Sequence, residues 1–224
     1  MSDAVKRNSR ASTTRADRAR QTRRRIIDAA AELFLERGYG ATMLEQVAER
    51  AGVAVQTVYF HFGNKATLLK HALDIAAVGD DEPVPLMERP WIDQINAERD
   101  PQQIIELWVT NGKIIMERVA PMLAVVRGTV GSDPDLAAQW QVNEQERRIA
   151  FAALPQLLAD RGFLKAGLSQ QEAADLAFLI VSVEGYFLAT GTLGWSPEHW
   201  ERTTVAMLSS TLLEPPAITP AAAP

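Results

Sequence analysis

Between Thr42 and Lys65 the run TMLEQVAERAGVAVQTVYFHFGNK holds the residues best placed to do chemistry, and the chemistry open to them is recognition. Val55, Val58, Tyr59 and Phe62 fall at i, i+3, i+4 and i+7, one face of a helix of barely two turns. Ala54, Gln56, Thr57, Phe60 and His61 then face elsewhere, offering an amide, a hydroxyl, an imidazole and an aromatic ring. A helix this short persists only by packing one face on a frame. Its other face is then free to enter the major groove of DNA.

Catalytic groupings do not occur in the sequence. His61, His71 and His199 are dispersed, and there is no HExxH, nucleophile elbow, Walker loop or dinucleotide glycine pattern. Glu144 and Arg148, four residues apart, read as a surface ion pair. The expectation is a protein that is not an enzyme and needs neither cofactor nor metal.

The recognition face requires elements to hold it. Thr42 with Glu45 three residues on reads as a capping box opening a helix, whose apolar stripe is Leu44, Val47, Ala48 and Ala51. Gly52 follows where a left-handed residue must end that helix. Upstream, Thr22 to Arg37 carries Ile26, Ala30, Leu33 and Phe34 on one face and stops at Gly38; downstream, Asn64 can cap a helix carrying Leu68, Leu69 and Leu73. The turn alone also fits a helical hairpin inside a core. Four short helices in succession favour a helix-turn-helix.

Residues 26 to 69 resemble the tetracycline-repressor (TetR) family of one-component bacterial regulators. The resemblance is carried by Ala29 to Phe34, Gly38, Gly40, Thr42, the Val47 to Gly52 segment, Tyr59, His61, Phe62 and Lys65. It implies phosphate contacts from Thr42, Tyr59, His61 and Lys65, the first at a helix N-terminus where amides and dipole favour an anion. It also implies base reading by Ala54, Val55, Gln56, Thr57 and Phe60. Ala54, Val55 and Phe60 depart from the family's usual residues, so the readout is expected to be apolar. Val55 and Phe60 can meet thymine methyls and Gln56 an adenine edge, while Val55 equally suits core packing.

Charge is distributed to match. Residues 1 to 25 hold nine cations against Asp3 and Asp17, a net +7 in a chain of net −5, which leaves −12 on the remainder. A basic arm on an acidic body is expected where only one end meets phosphate. Residues 1–21 lack the large apolar side chains of a core and are expected to be disordered; Arg23 and Arg24, at their junction with the first helix, are candidate backbone or minor-groove contacts. The longest apolar run, Leu176 to Val183, is too short to span a bilayer, no secretory signal opens the chain, and there is no cysteine. A cytoplasmic protein with no membrane partner is expected.

The organisation expected is all-α: a basic arm (1–21), a DNA-binding domain (22–78), a larger helical body (79–213) and a disordered tail (214–224). In the body, helices are expected over 101–117, 121–130, 134–161, 169–190 and 197–213, with Pro155 bending the third. Leu176, Leu179, Ile180, Val183 and Phe187 form a stripe on a helix apolar nearly all round. The resemblance implies that this helix, with Trp200, Met207 and Thr211 on the next, forms a four-helix interface between two copies. Burial in a monomer core is the alternative. The resemblance further implies a small, mostly apolar effector, with Trp108, Asn111, Met116, Trp140, Asn143, Glu144 and Tyr186 on the helices walling its pocket. Glu184 serves either that ligand or the interface. The functional expectation is a repressor released from a pseudo-palindromic operator by the effector, the alternative a regulator or activator that senses no ligand, and the remote alternative an enzyme.

Overall fold

The computed structural model describes residues 3–80, 82, 84–129, 131 and 133–215, with side chains from Arg15 onward. Its elements are α1 (Asp3–Ala41), α2 (Leu44–Ala51), α3 (Val55–Phe62), α4 (Lys65–Val78), α5 (Pro90–Ala97), α6 (Pro101–Arg127), α7 (Pro134–Asp160), α8 (Gln170–Ile180), α9 (Val183–Phe187) and α10 (Pro197–Leu212). A 3-10 turn covers Leu86–Glu88 and a π turn Leu188–Thr192. The fold is all-α; among the described residues the extended pairing is one isolated antiparallel bridge, Leu164 with Leu213.

The chain forms two compact units, Met1–Glu82 with Pro121–Val142, and Pro83–Ala120 with Asn143–Pro224. A single boundary near residue 79 therefore differs from the observed division, because Pro121–Val142 clusters with the N-terminal helices.

In the first unit, α1 packs on α2 and α4, α2 on α3, and α3 on α4. Ile26, Ala30, Leu33 and Phe34 are buried to within 1% exposure, as their spacing requires, and each large side chain removed from water stabilises by about 1.5–3 kcal/mol. Gly38 interrupts α1 at φ 81° and ψ 164°, a backbone geometry open essentially to glycine. The arm expected to be disordered is helical in its backbone from Asp3. Extending a helix already nucleated by its packed half fixes fewer dihedrals than starting one, and the alanines and arginines here are good helix formers.

The start of α2 also differs from expectation by one residue. Met43 is the N-cap: its amide donates to Gln46 Oε1 at 3.1 Å, in place of the Thr42–Glu45 pair. Thr42 is unavailable because its hydroxyl donates to the carbonyls of Gly38 (2.8 Å) and Leu33 (3.1 Å), which closes the corner after α1.

The second unit is built on Ile104, Ile105, Trp108, Leu154, Leu158 and Leu208, all buried, with α10 packed on α8 and on the π turn. Ser169 and Glu172 form the expected capping box, and Ser196 Oγ accepts from His199 N ahead of Pro197. Two expected helices over 101–117 and 121–130 are one, α6, which runs through Pro121. Proline's φ is helical, and burial of Met122, Leu123 and Val126 just beyond offsets its missing bond. Conversely the helix expected over 169–190 is broken: Val181 leaves helical geometry and Ser182 Oγ accepts from Gly185 N at 3.1 Å, capping α9. Gln170–Thr192 is long and apolar enough, by length and composition, to cross a membrane. In this structure it is split at that cap and lends Ala173, Ala177, Val181 and Val183 to the unit's core. Of the expected tail, residues 216–224 lie outside the described residues.

Candidate nucleic-acid interface

The turn between α2 and α3 begins at Gly52, left-handed at φ 66°, whose amide bonds the Ala48 and Glu49 carbonyls. This tight exit lets an eight-residue helix lie across α2. Val58 and Phe62 fix α3 to the frame, both buried, while Ala54, Gln56, Tyr59 and Phe60 are exposed and Val55, Thr57 and His61 half-buried. Phe60 is 85% exposed, in edge contact with the His61 ring at 5.3 Å. A large ring so displayed on a short, rigidly seated helix is what apolar contact with a base edge needs.

Four expected DNA contacts are otherwise engaged. Thr42 is 1% exposed, with its hydroxyl bonded inward, so it does not present itself to a phosphate. Lys65 Nζ donates to the carbonyls of Tyr39 (2.7 Å) and Thr42 (3.0 Å) and lies 4.2 Å from the Tyr39 ring centre. Burial holds its pKa below the usual lysine value, against the pull of Asp133. Arg23 lies over the Phe62 ring at 5.1 Å and donates to the His71 ring at 2.9 Å, bracing α1 against α3 and α4. Arg24 grips Asp28 through both carboxylate oxygens, at 2.8 and 3.0 Å. In each case a nearer acceptor or aromatic face takes the group the sequence reserved for phosphate.

No sequence motif marks His71 for this bracing role. Burial, then Arg23, lowers its pKa, and Lys70 adds to this while Asp74 at 3.7 Å opposes it. The folded chain thus keeps this imidazole neutral where the unfolded chain begins to protonate it, near pH 6.5. Stability from this site is complete above that value and falls as pH drops below it, until the folded group itself titrates. His71→Asn is expected to show a weaker fall in melting temperature between pH 7 and 5 than the parent; an identical fall would remove His71 as a cause.

The residues expected to wall a ligand pocket are distributed over both units. Trp140 belongs to the first unit; Trp108, Asn111, Met116, Asn143, Glu144, Glu184 and Tyr186 belong to the second. Trp108 is buried edge-on against Trp91 at 5.8 Å, and Asn111 Nδ2 donates to Leu107 O in its own helix at 2.8 Å. Met116 and Tyr186 are buried, and Tyr186 meets Trp200 edge-on at 5.0 Å. Asn143 Oδ1 is buried without a hydrogen-bond donor. Glu144 and Glu184 are exposed and flank Arg147, whose pKa burial lowers and these acids raise. Arg147 was missed by sequence reasoning, as was the ion pair of Lys113 with Glu201 at 2.8 Å.

The expected interface set also divides. Val183 and Trp200, 1% and 3% exposed, are core of their own unit, which corrects their assignment to a surface between copies. Leu179 and Met207 are 69% and 47% exposed, and Leu176, Ile180, Phe187 and Thr211 half-buried. A helix apolar on every side does not announce which side faces its own core.

A short helix seated by one face and presenting amide and aromatic groups on the other, in a chain with a second helical unit, is the arrangement of a helix-turn-helix regulator. Residues 26–72 match the model of "Bacterial regulatory proteins, tetR family". The chain is 45% identical over 58 residues to the HTH-type transcriptional regulator TtgR of Pseudomonas putida, spanning 26% of this chain and 28% of TtgR. To the uncharacterised regulator TtgW of the same organism it is 35% identical over 107 residues, covering 42% of this chain and 77% of TtgW. Native NalD, described as the secondary repressor of the MexAB-OprM multidrug efflux pump in Pseudomonas aeruginosa, superposes with a TM-score of 0.62 at 25% identity, over 86% of this chain and 96% of NalD. The chain belongs to the TetR family of bacterial regulatory proteins.

Proposed function

We propose that this chain is a cytoplasmic, homodimeric repressor that binds a pseudo-palindromic operator and leaves it when a small, mostly apolar effector binds the helical body. The observation that carries the reading is the outer face of α3, where Gln56, Tyr59 and Phe60 stand exposed while Val58 and Phe62 are locked into the frame. One such helix reads too few base pairs to be selective, so two copies must act together, about 34–36 Å apart or somewhat more. Exposed Leu179 and Met207, on α8 and α10, are apolar surface available to a second copy. The description of NalD as a repressor supports the sign of the regulation. Release follows from linkage: an effector that favours a conformation with wrongly spaced recognition helices weakens DNA by the factor by which DNA weakens it.

The test is recovery of bound duplexes from a random pool by the purified chain, repeated with a panel of lipophilic and cationic compounds. A palindromic consensus, lost in the presence of a binding compound, is the result expected. A consensus without a dyad, or a chain that remains monomeric at micromolar concentration, overturns the dimeric reading. Binders that leave DNA affinity untouched favour a regulator that senses no such ligand. Gln56→Ala is expected to cost roughly tenfold in discrimination at one position per half-site while leaving stability unchanged, since the side chain is exposed. Uniform loss across sequences would show that Gln56 touches phosphate instead.

A further inference from the structure

We propose that Asp133, acting through Tyr39, is a positioning residue for DNA binding: the first turn of α7 sets where the α2–α3 hairpin sits. The inference rests on the DNA-binding reading above. Tyr39 follows the glycine that ends the packed part of α1 and is buried, its ring stacked on Phe34 at 5.7 Å. Its hydroxyl donates to Asp133 Oδ2 at 2.9 Å. The other carboxylate oxygen accepts from the amides of Asp135 (3.0 Å) and Leu136 (3.1 Å), two donors left open where α7 begins. Held from both sides, this carboxylate cannot move without losing charge-assisted bonds, and those bonds keep its pKa below the usual range.

Two further bonds complete the array. Asn64 Nδ2 donates to Asp135 Oδ2 at 3.3 Å, while Asn64 Oδ1 caps α4. Lys65 then ties the carbonyls of Tyr39 and Thr42 together. The α2–α3 hairpin is entered at Thr42 and left at Asn64. Both attachment points are thus referred to one short acidic segment at the start of α7, although Tyr39 and Asp133 lie 94 residues apart in sequence. Base readout demands that α3 be held to within fractions of an ångström, whereas attraction to phosphate does not. Losing the Tyr39–Asp133 bond frees the entry to shift against the exit, and the specific complex must then bear the cost of ordering it.

The test uses the full chain with Tyr39→Phe, Asp133→Asn and both together. Phenylalanine keeps the buried ring, and asparagine keeps an acceptor for the two amides of α7. Four quantities are measured: affinity for the duplex that the parent chain recovers from a random pool, affinity for an unselected duplex, the salt slope of binding, and melting temperature. Each single variant is expected to lose roughly tenfold on the selected duplex, with the unselected duplex and the salt slope unchanged, and the double variant to lose no more than either. Unchanged or tighter binding to the selected duplex overturns the proposal. So does equal loss on both duplexes, or additive losses in the double variant, each of which marks general damage to the fold. A parent chain that recovers no duplex refutes the DNA-binding reading and this proposal together, which separates that failure from the others.

Discussion

Glu201→Ala is expected to lower the stability of the chain by about 2–3 kcal/mol, read as a shift in the urea midpoint at pH 7. Glu201, on α10, meets Lys113 of α6 at 2.8 Å and accepts from the Thr110 hydroxyl at 2.5 Å. The two charged side chains keep 16% and 19% exposure, so the loss falls below the 3–5 kcal/mol of a fully buried pair. Burial raises the Glu201 pKa, but Lys113 and Thr110 more than offset it, and the result is a lowered value. The sign follows: a depressed carboxylate gives stability that is present above its unfolded pKa and disappears as pH falls through its folded pKa. The deficit of the Ala variant should therefore shrink in acid. Part of it comes from the lysine losing its nearest acid, with Glu117 and Glu198 still acting on it, so Lys113→Met with Glu201→Leu is expected to recover some of the loss. A single variant as stable as its parent at pH 7 would mean that water already screens the pair.

The recognition unit was legible because local rules govern it. Gly38 and Gly52 stand where backbone geometry leaves few alternatives, and Val47, Val58 and Phe62 are buried because helical spacing puts them on one side. What escaped depends on contacts between distant residues. Thr42 looked like an N-cap until the Leu33 and Gly38 carbonyls claimed its hydroxyl. Tyr39 and Asp133 carry no mark of each other in sequence. The break between α8 and α9 had a local signal, Ser182 three residues before Gly185, but it lay hidden inside an apolar run. Val183 and Trp200 were misassigned because hydrophobicity fixes that a residue is buried and not what buries it. Arg147 gave a quieter clue, one turn beyond Asn143 on α7, where a long cationic side chain can lie along apolar surface.

Lys65 separates the local reading from the structural one by experiment. As a phosphate contact, its loss would weaken all DNA sequences alike and lower the salt slope by about 0.9, with the fold untouched. The observed geometry predicts the reverse. Its ammonium joins two carbonyls that follow the α1 break and lies against the Tyr39 ring, so Lys65→Met removes two charge-assisted bonds while keeping the apolar stem. Such bonds contribute about 1.5–3 kcal/mol each, which partial exposure of the site discounts to about 2 kcal/mol in total. The variant is expected to melt at lower temperature and to bind its selected duplex less tightly, because the corner carrying α2 and α3 loosens, yet with the parent's salt slope. An unchanged melting temperature together with a reduced slope would return Lys65 to the DNA surface. It would also show that the chain rearranges this corner on binding, since the ammonium cannot hold the Tyr39 and Thr42 carbonyls and a phosphate in the same geometry.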